Sequence, residues 1–434
     1  PNILLILADD LGYGDLSIHG SKPIRTPNID SIFRKGVQFT QGYVSNSVCA
    51  PSRAGLLTGL MGSRFGFERN LTDDPNVGLD THVKTIPDYL KTANYRTCAI
   101  GKWHLGKIEK FHPNNRGFDE FFGFLGGSRT YFCWDSHATR YARKHAGEKK
   151  IQYNGKYIKE PEDLYTTDLF TDKTIEFIKR TRNQSPQQPW FVYLAYNAPH
   201  GPNEAKPEDL AKVDPAIMKK NRKRGIYCAM VMNLDHNVGR ILTYLRETKQ
   251  LSNTLIVFLS DNGGPLEKNG SYNGPLRGNK GSLWEGGVRV PFAIRWDGHI
   301  PAGLKVHQPV WSLDLMPTFL AAAGVKLEQP LKTDGIDLLP YLQQRRQLPE
   351  RTFFWRRGGK TRLAIRKGPW KLQIYRNREK FKEDPQAAIQ KIMLHNIDRD
   401  TGEKNDLYPA RTEFAHKLKE LLEQWEKQMP DPRW

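Results

Sequence analysis

Residues 2–10 read Asn2-Ile3-Leu4-Leu5-Ile6-Leu7-Ala8-Asp9-Asp10. The apolar run is uninterrupted, as in a buried strand of a parallel sheet, and it stops abruptly at two carboxylates. The same pattern recurs along the chain. Arg96–Ile100 runs into Gly101-Lys102-Trp103-His104, Trp190–Tyr196 ends near His200, and Thr254–Ser260 ends in Asp261-Asn262-Gly263-Gly264. Val288–Arg295 reads as one more strand. Helices are expected between them. Thr26 can cap one, with Pro27 at its first position and Gly36 just past its end. A second fits Thr85–Thr92. Tyr227, Met230, Val231, Leu234, Val238, Ile241, Leu242 and Leu245 fall three and four apart, marking one face of a long amphipathic helix. Leu313–Ala323 reads as a helix stopped by Gly324. Strands alternating with helices over roughly 320 residues predict a doubly wound α/β sheet.

The chain has 434 residues, more than the roughly 250–300 at which a single core stops growing. The tail changes character accordingly. Short strand-like runs at Thr352–Trp355, Leu363–Ile365 and Trp370–Tyr375 lie close together. A final helix over about Thr412–Gln428 places Phe414, Leu418, Leu421, Leu422 and Trp425 on one face. We expect a catalytic α/β domain over 1–333 and an α+β subdomain over 334–434, the latter an antiparallel sheet with one helix.

Lys and Arg number 66 against 47 for Asp and Glu, a net charge of +19. That balance favours anionic partners. The basic residues are dispersed, and no zinc-finger, basic-zipper or RNA-recognition signature is present, so nucleic acid is set aside for an anionic substrate. No run of eighteen apolar residues occurs, so no membrane span is expected. The four cysteines lack the spacing of a disulfide framework or a zinc site. Cys98, Cys133 and Cys228 read as small core residues. The first strand begins without a signal sequence, which fits a cytosolic protein or one whose export signal lies upstream.

In an open α/β sheet the carboxyl ends of parallel strands share one edge, where ligands bind. Asp9, Asp10, Lys102, His104, His200, Asp261 and Asn262 all fall at such ends. Asp9, Asp10, Asp261 and Asn262 are hard oxygen donors suited to calcium or magnesium, although each pair alone is also an ordinary turn sequence.

The segment Cys49-Ala-Pro-Ser-Arg-Ala-Gly-Leu-Leu-Thr-Gly59 is more specific. It resembles the signature of the type I sulfatases of the alkaline phosphatase superfamily, in which the cysteine of a Cys-x-Pro-Ser-Arg motif is oxidised to formylglycine. The resemblance continues through Tyr95–His104, Leu11–Asp15, Arg25–Asp30, Asn197–His200, Pro275–Lys280 and Leu394–Leu407, nearly the whole chain. It implies an alkaline-phosphatase-like doubly wound mixed sheet with a small C-terminal subdomain. It also implies one calcium ion (Ca2+), held by Asp9, Asp10, Asp261, Asn262 and the modified Cys49. By the same resemblance, one hydroxyl of the hydrated aldehyde attacks sulfur, and the second drives release of sulfate.

The resemblance further assigns Arg53 to steadying the hydrated aldehyde, Lys102 and Lys280 to the sulfate oxygens, His104 to the base and His200 to the proton donor. Lys102, His200, Lys280 and Arg277 are the expected substrate contacts. Arg64, Arg69, Arg116, Arg129, His137 and Trp284 are weaker candidates for the pocket wall, and His19 and Trp103 read as structural. The expected substrate is a sulfated carbohydrate, the expected partner a formylglycine-generating maturation enzyme, and the expected location periplasmic or secreted. An arylsulfatase, a phosphoester or phosphonate hydrolase, and an inactive sulfated-glycan binder are the alternatives.

Overall fold

The computed structural model describes residues 1–134, 146–327, 329–383 and 386–434. Its centre is the strand Asn2–Ala8, every residue of which is buried. Because strand side chains alternate, the unbroken apolar run supplies two cores at once. Leu4, Ile6 and Ala8 meet the helices Pro27–Arg34, Thr166–Gln184 and Arg222–Glu247. Ile3, Leu5 and Leu7 meet Cys49–Thr58, Ile86–Leu90 and Leu315–Ala322 on the other face.

Among the described residues the large sheet has ten strands. Their order is Leu304–Val306, Val37–Phe39, Phe292–Arg295, Thr254–Ser260, Asn2–Ala8, Trp190–Ala195, Arg96–Lys102, Glu120–Phe124, Gln152–Tyr153 and Lys156–Tyr157. The five from Thr254–Ser260 to Glu120–Phe124 run parallel. Antiparallel pairs flank them, at Phe292–Arg295 on one side and Gln152–Tyr153 on the other. The sheet is therefore mixed, covered on both faces by helices, as expected. Four of the parallel strands deliver their carboxyl ends, and the residues that follow, to one edge.

Several elements differ in detail. The strand expected over Val288–Arg295 begins only at Phe292, and Glu285–Val288 is a helical turn instead. Pro291 has no N–H for a ladder, which delays the pairing. Thr26 stands at the N-cap position, but its hydroxyl donates to Asp30 Oδ1 at 2.8 Å and accepts from the Ser17 N–H. The helix expected over Thr85–Thr92 is Ile86–Leu90 with a capping box between Thr85 and Asp88, followed by a 3-10 turn.

Among the described residues the C-terminal sheet has four antiparallel strands, Thr352–Arg357, Arg362–Lys367, Trp370–Arg376 and Ile389–Asn396. The last was not anticipated, since Gln390 and Lys391 are exposed and break its apolar run. Helix Thr412–Lys427 packs Leu418, Leu422 and Trp425 onto this sheet, with Leu421 turned outward at 37% exposure. Tyr43, Val288 and Trp311, from earlier in the chain, join the same cluster, whereas Leu338, Leu339, Leu342 and Leu348 pack into the core of the large sheet. A buried ion cluster adds to the seam: Lys371 Nζ lies 2.8 Å from Glu285 and 3.2 Å from Glu403. Among the described residues no helix is long and apolar enough to cross a membrane.

Candidate active site

Two carboxylates leave the central strand where its neighbours also end. The Asp9 N–H donates to the Ala198 carbonyl and the Asp261 N–H to that of Ala8, so the strand ends stay in register beyond the sheet. Asp10 turns into the left-handed region at φ 64, and its N–H donates to Asp261 Oδ1 at 3.2 Å. Few non-glycine residues adopt that conformation, aspartate among the more tolerant.

Helix Cys49–Thr58 is buried along its whole length and ends at Gly59, whose φ of 66 closes it. Cys49 is its first residue, with Sγ 3.5 Å from Asp9 Oδ1. Arg53, one turn on, is fully buried. Its Nε and Nη2 both lie 2.9 Å from Asp261 Oδ2, and its Nη1 donates to the Lys102 carbonyl at 2.9 Å. Lys102 is brought there by Gly101, where a β-carbon would stand 2.0 Å from the Ala195 carbonyl oxygen. Only glycine lets the adjoining strand pass so close. Lys102 Nζ then reaches Asp9 Oδ2 at 2.5 Å.

From the other side, Lys280 Nζ lies 2.8 and 2.9 Å from the two Asp10 oxygens. His200 Nε2 is 3.5 Å from Asp10 Oδ2, and its Nδ1 is 2.6 Å from the Gly201 carbonyl. Asn262 Nδ2 donates to Asp10 Oδ1 at 2.6 Å, while its buried Oδ1 has no partner among the described residues. His104 is buried at φ 58, its Nδ1 unpartnered, in space that a β-carbon at Gly127 would invade. Ligand atoms of Asp9, Asp10, Cys49 and His200 all fall within 4.8 Å of one another. Asp261 sits beside that group, its oxygens engaged by Arg53 and the Asp10 N–H.

Burial alone would raise Asp9, but Lys102, His200, Arg53 and Lys280 outweigh it and hold the carboxyl well below its usual range. Burial, with Asp9 adding to it, pushes Asp261 up to about 6. Burial pushes the Cys49 thiol up to about 12, so an unmodified thiol stays protonated and unreactive. His104 is driven well below its ordinary value by burial and then by Lys102. Burial also lowers His200, with Asp9 and Asp10 opposing it. Lys280 rises well above its ordinary value because Cys49, Asp10 and Asp9 overcome its burial. Three carboxylates thus face three cations, Arg53, Lys102 and Lys280.

A cavity of about 330 Å³ opens onto Asp10, His200 and Lys280, and Lys268, Asn269 and Arg357 also line it. These last three had no motif to reveal them; Arg357 belongs to the distant tail. Arg277 is not among the lining residues. It stacks on Trp284 at 3.9 Å and donates to the Glu403 carbonyl. Of the weaker candidates, Arg64 pairs with Asp334, Arg129 with Glu160, and Arg116 donates to backbone carbonyls. Trp103 donates to the Phe111 carbonyl and His19 stacks on Tyr13. His137 lies outside the described residues.

Residues 1–325 match the family described as Sulfatase. An N-acetylgalactosamine-6-sulfatase of Sus scrofa is 34% identical, over 97% of this chain and 84% of its own. Arylsulfatase A of Bos taurus is 30% identical, over 98% of this chain and 87% of its own. The solved structure of Ps i-CgsB in complex with k-i-k-neocarrahexaose superposes with a TM-score of 0.90 at 39% identity, covering 100% of this chain and 94% of that one. The chain belongs to the sulfatase family and is a sulfuric ester hydrolase.

Proposed function

We propose that the protein removes a sulfate ester from a sulfated oligo- or polysaccharide, using a formylglycine made from Cys49 and one calcium ion. The observation that carries this reading is the convergence of Asp9, Asp10, Cys49 and His200 within 4.8 Å, flanked by Lys102 and Lys280. The donor set fits such an ion. Carboxylates and an amide are hard oxygen ligands, and the Asn262 Oδ1 is buried without a partner. The charge fits as well: the carboxylates and cations already balance, so a divalent ion matches an anionic ester plus a deprotonated nucleophile. Asp9, Asp10, Asp261, Asn262 and position 49 would hold it. When present, the ion supplies polarisation of the S–O bonds, and formylglycine supplies the nucleophilic oxygen.

The remaining work falls to side chains already in place. Arg53, clamped by Asp261 and the Lys102 carbonyl, holds position 49 in its attacking orientation. Lys102 and Lys280 neutralise the sulfate oxygens as charge builds on them. His200 Nδ1 is close enough to the Gly201 carbonyl that it must carry a proton toward it. Nε2 is therefore the nitrogen turned toward the site, and it delivers a proton to the departing alcohol from the imidazolium form, which Asp9 and Asp10 favour against burial. His104 takes up the proton whose loss frees the sulfate.

A carbohydrate is favoured because the porcine relative is named for a sugar sulfate and the superposed structure holds a neocarrahexaose. The +19 charge suits a polyanion. Activity on such polymers places the protein in the periplasm or outside the cell, after a maturation enzyme has acted on Cys49. The test is sulfate release from a panel of sulfated oligosaccharides, a phenyl sulfate and a phenyl phosphonate, before and after chelation. The reading expects kcat/KM for at least one sugar above that for phenyl sulfate, with activity lost on chelation and restored by calcium. Turnover of phenyl sulfate alone, or full activity after exhaustive chelation, contradicts it.

A further inference from the structure

Three arginines meet beside the catalytic cavity, with no carboxylate among the described residues paired to them. Arg357 and Arg362 stand directly opposite each other across an antiparallel strand pair, a juxtaposition of like charge that weakens a sheet. Both donate to the Gly281 carbonyl, one residue past Lys280, whose Nζ lies on Asp10. Arg69 arrives from a different part of the chain. A β-carbon at Gly359, in the turn joining the two strands, would stand 2.6 Å from its Nη2.

The adjoining buried Arg356, by contrast, has an acidic partner in Glu68. Burial, then Arg362 and Arg69, lowers Arg357 to about 10, with no acid opposing the shift. Gly358, Gly359 and Lys360 adopt φ of 70, 66 and 71, and Lys360 is tied to Asp431. Arg357 also lines the cavity that holds Asp10, His200 and Lys280. A set of guanidinium groups kept together against repulsion, with Arg357 opening onto the reaction cavity, suits the oxygens of an anion.

We propose that Arg357, Arg362 and Arg69 form a second anion subsite, which binds a sulfate or carboxylate on a sugar residue adjoining the one that loses its sulfate. The inference rests on the carbohydrate reading above. The subsite makes the enzyme select multiply charged chains and acts chiefly on KM, because it grips a group that does not react.

The test uses matured enzyme and oligosaccharides that share the target sulfate but carry a hydroxyl, a sulfate or a carboxylate on the neighbouring sugar. Wild-type enzyme should favour one or both charged neighbours over hydroxyl, and the favoured group identifies the ligand. Arg357→Gln should shrink that preference about tenfold or more, through KM, as expected for loss of a charge-assisted hydrogen bond. Arg69→Gln, outside the hairpin, should do the same, so a folding defect in one variant does not decide the matter. Raising ionic strength should erode the wild-type preference in parallel. Equal losses on all three oligosaccharides in both variants, or no wild-type preference, would overturn the subsite alone. Wild-type enzyme that cleaves phenyl sulfate but no sugar sulfate overturns the carbohydrate reading and the subsite with it.

Discussion

Arg53 holds three parts of the site together: the helix that carries position 49, the end of the strand at Lys102, and Asp261. Under the proposed mechanism its neighbours divide between binding and proton transfer, and substitutions should separate the two roles. His200→Ala removes the proton donor, a loss of about 100- to 10,000-fold for a group of this kind. That loss should be large for a sugar sulfate, whose alcohol is a poor leaving group, and small for an activated phenyl sulfate. Lys102→Ala should lower both rates about equally, by roughly 100-fold or more, because the sulfate is common to both. Steady-state rates on the two substrates check this. An equal loss on both for His200→Ala would make His200 a binding residue.

The seam between the large sheet and the C-terminal strands depends on buried charge. Lys371 stands between Glu285 and Glu403, all three buried, while Tyr43 donates to Glu285 at 2.6 Å. Burial pushes Glu403 up to about 7, and Lys371 is the main group opposing that rise. Lys371→Met leaves two buried carboxylates without their cation and should cost about 3–5 kcal/mol, read as a lower denaturant midpoint. His395, on the last strand of the same sheet, is buried against Trp284, and burial lowers it to about 4. The folded protein thus favours its neutral form. Its contribution to stability is present above the unfolded value near 6.5 and is lost as pH falls from there toward 4. The thermal midpoint should drop between pH 7 and pH 5, and by less in His395→Gln; matching slopes would show that other groups titrate.

At the scale of the whole molecule, the sequence exposes what is buried on both sides and hides what depends on meeting a distant partner. The runs Asn2–Ala8 and Thr254–Ser260 were legible because parallel strands need no polar face. The carboxylates and amide that follow them were legible because such strands deliver their ends to one edge. The strand Ile389–Asn396 was not, since its outer residues are solvated. Arg357 was not either, since only the hairpin brings it to the cavity. Arg277, an expected substrate contact, stacks on Trp284 and donates to the Glu403 carbonyl, contacts that depend on the fold and not on local sequence.

The central claim is that turnover needs a nucleophile made from Cys49. Trypsin should release Gly36–Arg53, and conversion of the thiol to an aldehyde lowers the mass of that peptide by about 18 Da. The converted fraction can be measured across preparations made with different amounts of maturation enzyme, beside the rate of sulfate release. The account predicts a rate proportional to that fraction, falling to zero where every peptide is unmodified. Full activity in a preparation whose peptide retains an intact Cys49 thiol would contradict it.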